Sequence, residues 1–208
     1  MPRRAAVVAA ILALALSLTL STNAHADDVH AHWAVRTVVV RDETGFGDYR
    51  RAIEQAVNQW NAAGASVQLQ LADGRGRGCD HPEGAEIPVC RQELSGSTAG
   101  EARLWIGGEH IEAASVLMDA SPHRFDELAA IACHELGHAL GLAHTDRRSS
   151  CLTPTIHSTT PDDEDRRNLA AKYGHADEHS HVGDGCGRTT LVRAGTVCLG
   201  VPPVAFTD

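Results

Sequence analysis

The side chains best suited to chemistry lie in one segment, His134-Glu-Leu-Gly-His-Ala-Leu-Gly-Leu-Ala-His144. On a helix, residues i and i+4 stand side by side, so the imidazoles of His134 and His138 can reach one zinc ion at about 2.0–2.1 Å. Glu135 sits beside the first of them, placed to take a proton from water rather than to bind metal. Gly141 permits a sharp turn that brings His144 back as a third donor. Three neutral histidines leave a fourth position for water, as in a catalytic rather than a structural zinc site. His-Glu-x-x-His alone is a weak signal in a chain with 13 histidines. Gly141 and His144 at their spacings make it specific. The competing interpretation is a His-rich helix and loop that bind nothing.

These residues need a helix to hold them. Phe125, Leu128, Ala129, Ala132, Leu136, Ala139 and Leu140 form an apolar stripe at intervals of three and four, with the two histidines on a neighbouring face. Ser121 and Pro122 are suited to its cap and first position, and Gly141 to its end. Upstream, Trp33–Arg41 is rich in β-branched residues and is expected as a strand. Asp48–Ala63 has apolar residues at helical spacing and is stopped by Gly64, while Val67–Leu71 alternates as a half-buried strand does. Residues 73–100, rich in Gly, Asp and Pro, are expected as loop. Arg103–Ile106 and Glu112–Met118 are two further strand candidates. Loops are expected up to Pro161, and then a polar helix over Asp162–Lys172 whose first residues are acidic, matching the positive end of its dipole.

With the helix and its glycine in place, the chain resembles the metzincins, and among them the matrixin-like branch. The signature His-Glu-x-x-His-x-x-Gly-x-x-His is complete at 134–144. The family continues to a turn whose methionine lies beneath the metal; the matching stretch is Ser150-Cys-Leu-Thr-Pro154, with Leu152 in the methionine's place. Leucine has similar volume and no polar atom, so an apolar floor can persist. Glu164-Asp165 and Tyr173-Gly174 are similar to the matrixin ending. The resemblance implies an α+β fold: a zincin-like twisted mixed sheet, an active-site helix and a small lower subdomain. It also implies a zinc-dependent endopeptidase acting on protein or peptide, with one catalytic zinc and with Leu152, Pro154 and Ile156 at a substrate pocket. Ligands for the matrixins' structural zinc or calcium do not map onto this sequence, so calcium stays unassigned. Two other classes are carried alongside: a secreted zinc-containing binding or inhibitory protein without hydrolysis, and a zinc hydrolase acting on cell-wall peptides.

The rest of the chain bounds the setting. Met1-Pro-Arg-Arg, an apolar run from Ala5 to about Leu20 and the small-x-small ending Ala24-His25-Ala26 describe a signal peptide over 1–26. A catalytic domain over 27–174 and an extension over 175–208 would follow. Residues 27–208 hold 16 Lys and Arg against 27 Asp and Glu, a balance of −11. Such acidity disfavours nucleic acid and anionic membranes as partners, and the expected product is a secreted monomer. Six cysteines fit an oxidising compartment and allow 15 pairings. Order along the chain suggests Cys79–Cys90, Cys133–Cys151 and Cys186–Cys198, the last within the extension. His175, His179 and His181 form a loose cluster, expected as a solvated linker rather than a second metal site.

Overall fold

The computed structural model describes residues 30–121, 123–174 and, as backbone, 204–207. The leader over 1–26, the cluster His175, His179 and His181, and the pair Cys186 and Cys198 lie outside the described residues.

The elements in chain order are β1 (Thr37–Asp42), α1 (Gly47–Asn61), β2 (Gln68–Asp73), β3 (Glu86–Gln92), β4 (Gly100–Gly107), β5 (His110–Asp119), α2 (Phe125–Ala139), α3 (Asp163–Lys172) and β6 (Val204–Thr207). Six strands form one mixed sheet in the order β2-β1-β3-β5-β4-β6. The pairs β1–β2, β1–β3 and β3–β5 are parallel, whereas β4 runs antiparallel to both neighbours. The fold is therefore α+β, with a parallel body and an antiparallel end.

Helices α1 and α2 pack against each other and against the sheet. Ala52, Ile53, Ala56, Val57 and Trp60 turn the apolar face of α1 inward, to meet Val38 and Val40 of β1 and Leu136 and Leu140 at the end of α2 in one core. The other sheet face is covered differently. There Leu117 of β5 packs with Cys79 and Cys90, whose disulfide staples the loop between β2 and β3, and with Leu94. With cover on both faces, β5 is buried continuously from Ala113 to Met118, as strands of covered sheets are.

Three expectations require correction. The segment 73–100 is not all loop: it contains β3, which lies between β1 and β5. Pro88 within it lacks an N–H and argues against a central strand, yet the parallel register with β1 tolerates it opposite Arg41. Second, α2 starts at Phe125, not after Ser121. The Ser121 hydroxyl turns back to the Asp119 carboxylate, and the first turn is closed instead by Glu127, which accepts the Arg124 backbone N–H at 2.9 Å. Third, β1 starts at Thr37 and not at Trp33. The Trp33 indole is drawn away from any strand to donate to the Ala139 carbonyl at 2.8 Å.

Asp119 fixes the chain where it leaves the sheet for α2. One carboxylate oxygen accepts the Leu94 N–H at 3.0 Å and the other accepts the Ser121 N–H at 3.1 Å. Burial works to raise this carboxyl, but the bonds from Ser121, Leu94 and His123 outweigh it and bring its pKa down to about 2. A folded pKa below the unfolded value gives stability that is complete above about pH 4 and is lost as pH falls toward 2. Replacing Asp119 with Asn should lower stability at pH 7 by about 2 kcal/mol and flatten its fall between pH 4 and pH 2. Denaturant midpoints across that range test this; parallel curves for the two proteins would refute it.

Candidate metal centre

His134 and His138 occupy successive turns of α2, and both are fully buried. Their Nε2 atoms approach to 2.8 Å, and His144 Nε2 lies 3.2 Å from that of His134. One donor atom from each of the three histidines falls within 4.8 Å of the others. Tetrahedral zinc with bonds of 2.0–2.1 Å requires nitrogen separations of about 3.3 Å. The donor set and its spacing therefore fit one zinc ion.

The rings are aimed from behind. His134 Nδ1 lies 2.6 Å from the Cys151 carbonyl oxygen, and His138 Nδ1 lies 2.8 Å from that of Leu142. A carbonyl can only accept, so each Nδ1 carries the proton and each Nε2 lone pair faces the centre. The Leu142 carbonyl is placed by the helix end. Leu142 N–H donates to Gly137 O at 3.1 Å and Gly141 N–H to His138 O at 2.7 Å, the paired bonds of a Schellman motif. Gly141 adopts φ +83°, and a side chain there would meet the Ala31 carbonyl at 2.3 Å. The turn that delivers His144 thus needs glycine twice over.

The Cys151 carbonyl belongs to the turn beneath the helix. Cys151 is bonded to Cys133, the residue before His134, and its N–H donates to Thr160 O at 3.0 Å. Leu152 is buried against Gly137 of α2, beside Trp60. Helix α3 fastens this turn from below. Arg147 forks onto Asp162 at 2.9 and 3.2 Å and reaches Asp165 at 2.8 Å and Glu164 at 3.2 Å. The hydrogen bonds from Arg147 hold the Asp162 carboxyl far below its usual range. Burial raises Asp165, against the opposing bonds from Ser150 and the Asp162 backbone.

Glu135 is 1% exposed. Its carboxylate lies so close to Gly100, the first residue of β4, that a Cβ there would stand 2.4 Å from Oε1. Nothing in the sequence singles out Gly100, Arg147 or the two carbonyls; their parts emerge only when distant segments meet. Of the pocket residues implied by resemblance, Leu152 is in the core, Ile156 packs against it half-buried, and Pro154 is exposed. A surface cavity of about 380 Å³ lined by Phe46, Tyr49, Arg91, Ser121, His123 and Leu128 contains none of these three and none of the three histidines.

A mixed sheet carrying a His-Glu-x-x-His helix and a third histidine beyond a glycine turn defines a class of zinc-site proteins. Residues 9–174 match the profile of the M10 peptidases described as matrixin. The chain belongs to the matrixin family. Human matrix metalloproteinase-21 is 26% identical over 159 residues, covering 68% of this chain and 26% of that protein. Its mouse counterpart is 31% identical over 118 residues, covering 54% and 19%. The chain thus spans about a quarter or less of the length of these curated relatives. Among solved structures, myroilysin is similar at a TM-score of 0.47 and 14% identity, covering 70% of this chain and 86% of that one. A zinc-protease hatching enzyme of the medaka fish is similar at a TM-score of 0.32 and 14% identity, covering 55% and 50%.

Gly137 is the position where α2, the turn below and α1 meet. An added Cβ would stand 2.6 Å from Leu152 Cδ2 and 2.7 Å from Trp60 Cζ2. Alanine favours a helix over glycine by about 1 kcal/mol, but overpacking a core costs about 1–3 kcal/mol. Gly137→Ala should therefore destabilise the fold and weaken zinc retention. A variant that is more stable in denaturant than the parent would show that this packing is not limiting.

Proposed function

We propose that the chain is an exported zinc-dependent endopeptidase, with residues 27–174 as its catalytic domain and protein or peptide as its substrate. The observation that carries this reading is the convergence of three imidazole Nε2 atoms, with the buried Glu135 adjacent to His134 in the same helix. His134, His138 and His144 hold the ion. When bound there, zinc acidifies a water and polarises a carbonyl. Glu135 accepts the water's proton at a carboxylate oxygen and later delivers it to the departing amine nitrogen. Gly100 leaves room for that carboxylate against the end of β4. The polar groups along β4 are suited to pair with an extended peptide, which would bring a scissile bond to Glu135. Leu152 supplies an apolar floor, and Pro154 and Ile156 form the pocket wall. Export is supported by the apolar leader ending Ala24-His25-Ala26 and by the two disulfides. Among the described residues no helix is long and apolar enough to cross a membrane. The product is taken to be a monomer. A purely binding protein would have no need of a carboxylate beside the metal.

Full-length protein should carry about one zinc per chain and cleave casein in a chelator-sensitive manner. Glu135→Ala should keep its zinc and lose activity by a factor of about 10²–10⁴, whereas His144→Ala should lose the metal. Full activity in Glu135→Ala would reject the role given to that residue. Zinc without hydrolysis of any substrate would favour the binding protein, and cleavage of cell-wall fragments alone would favour the third class.

A further inference from the structure

Strand β4 would be the antiparallel end of the sheet were it not for β6. Residues 204–207 lie along its outer side in the register Glu101↔Thr207, Ala102↔Phe206, Arg103↔Ala205 and Leu104↔Val204. The first of these pairs is one residue from Gly100, whose α-carbon abuts the Glu135 carboxylate. One residue of strand is about 3.3 Å, so the paired stretch begins beside the proposed catalytic base. The same structure buries Glu135, His134 and His138 to 1% exposure or less. The segment is built for such pairing. Val204-Ala-Phe-Thr207 is uncharged and includes β-prone residues, while Pro202-Pro203 just before it cannot donate to a ladder.

We propose that residues 204–207 are a built-in competitor for the substrate strand, and that β6 holds the protein in a self-inhibited state. This rests on the endopeptidase reading above. An extended peptide adding to β4 needs the same backbone N–H and C=O groups that β6 uses, so the two exclude each other. A tethered segment competes intramolecularly, at an effective concentration set by the length of its linker, here the 29 residues 175–203. The four residue pairs of β6 therefore compete without the dilution that a free substrate suffers. Hydrolysis begins when β6 leaves β4, either by thermal release or because a partner or a cut takes the segment away.

The test compares full-length zinc-loaded protein with its Ala205→Pro/Phe206→Pro variant, in which two adjacent ladder positions lose their donors. Amide hydrogen exchange over residues 100–107 reads the pairing directly. Hydrolysis of an extended fluorogenic peptide reads its consequence. In the variant, the outward amides of β4 should lose protection, and apparent KM should fall at least tenfold with kcat unchanged. A synthetic peptide of residues 201–208 should inhibit the variant competitively. Equal protection of β4 in both proteins, or protection lost with KM unchanged, would overturn the proposal. If neither protein hydrolyses any peptide although both hold zinc, the endopeptidase reading fails instead. Exchange over 100–107, with and without the added 201–208 peptide, then still decides whether β6 occupies this edge. Equal thermal unfolding of parent and variant guards against a folding defect.

Discussion

The hydrogen bonds from His134 Nδ1 to the Cys151 carbonyl and from His138 Nδ1 to the Leu142 carbonyl constrain the rest of the molecule. Two imidazoles on successive turns of a helix share a face, but nothing in the helix fixes the rotation of either ring. Each ring is fixed only by an acceptor behind it, and neither acceptor lies in α2. One is in the helix-ending turn and the other in the turn below. Both must be placed to within a few tenths of an ångström for the Nε2 atoms to meet. The covalent path Cys133–Cys151 runs beside the bond from His134 to Cys151. The two links close a small ring that ties ligand, helix and lower turn into one unit. A disulfide closing a loop of this length typically contributes 2–4 kcal/mol, and here it also preserves orientation.

Packing beneath the helix enforces the same constraint. The Trp60 indole donates to the Cys133 carbonyl at 2.9 Å, which sets the rotation of α2 relative to α1. Gly137 lets Trp60 and Leu152 approach the helix backbone closely. The carbonyls at the helix end are occupied as well: Ala139 by the Trp33 indole, and Leu140 by the Tyr173 hydroxyl at 3.0 Å. Tyr173 follows α3, and Arg147 ties the start of α3 to the chain between His144 and Cys151. The lower part of the molecule is thereby held at both ends. Leu152 meets the requirement of this floor, which is apolar volume rather than a particular side chain.

What was legible in the sequence follows from the range of each interaction. Helices α2 and α3 were readable because periodicity, acidic first turns and the glycine stop are local. The histidine spacing was readable because one helix turn and one glycine bend fix it within eleven residues. Strand β3 was hidden by Pro88 and by the glycines around it, since only its neighbours β1 and β5 make it a strand. The start of α2 was misplaced because the Ser121 hydroxyl can either accept from a following helical N–H or donate to the Asp119 carboxylate, and the choice of Asp119 depends on where β5 ends. Periodicity also assigned the two histidines to a face beside the core, yet the helix is buried all round from Leu128 to Ala139. Gly100, at the other side of that burial, carried no signal, because its importance lies in a residue 35 positions away.

The antiparallel end of the sheet couples two requirements that usually stand apart. An unpaired strand edge is a template for other chains, and proteins protect such edges by charge, by proline or by covering them. On the proposed endopeptidase reading, a site built against this edge needs those same groups bare when an extended peptide arrives. Proline on β4 would block the second need permanently, because the ladder donor it removes could not be restored during turnover. A covering strand from the same chain is the remedy that can be withdrawn. Its pairing must be weak enough to release, and a tether must bring it back. Four residues after a pair of prolines, anchored to the same polypeptide, meet both conditions. The device that protects this edge is then also the one that keeps the site beside it closed.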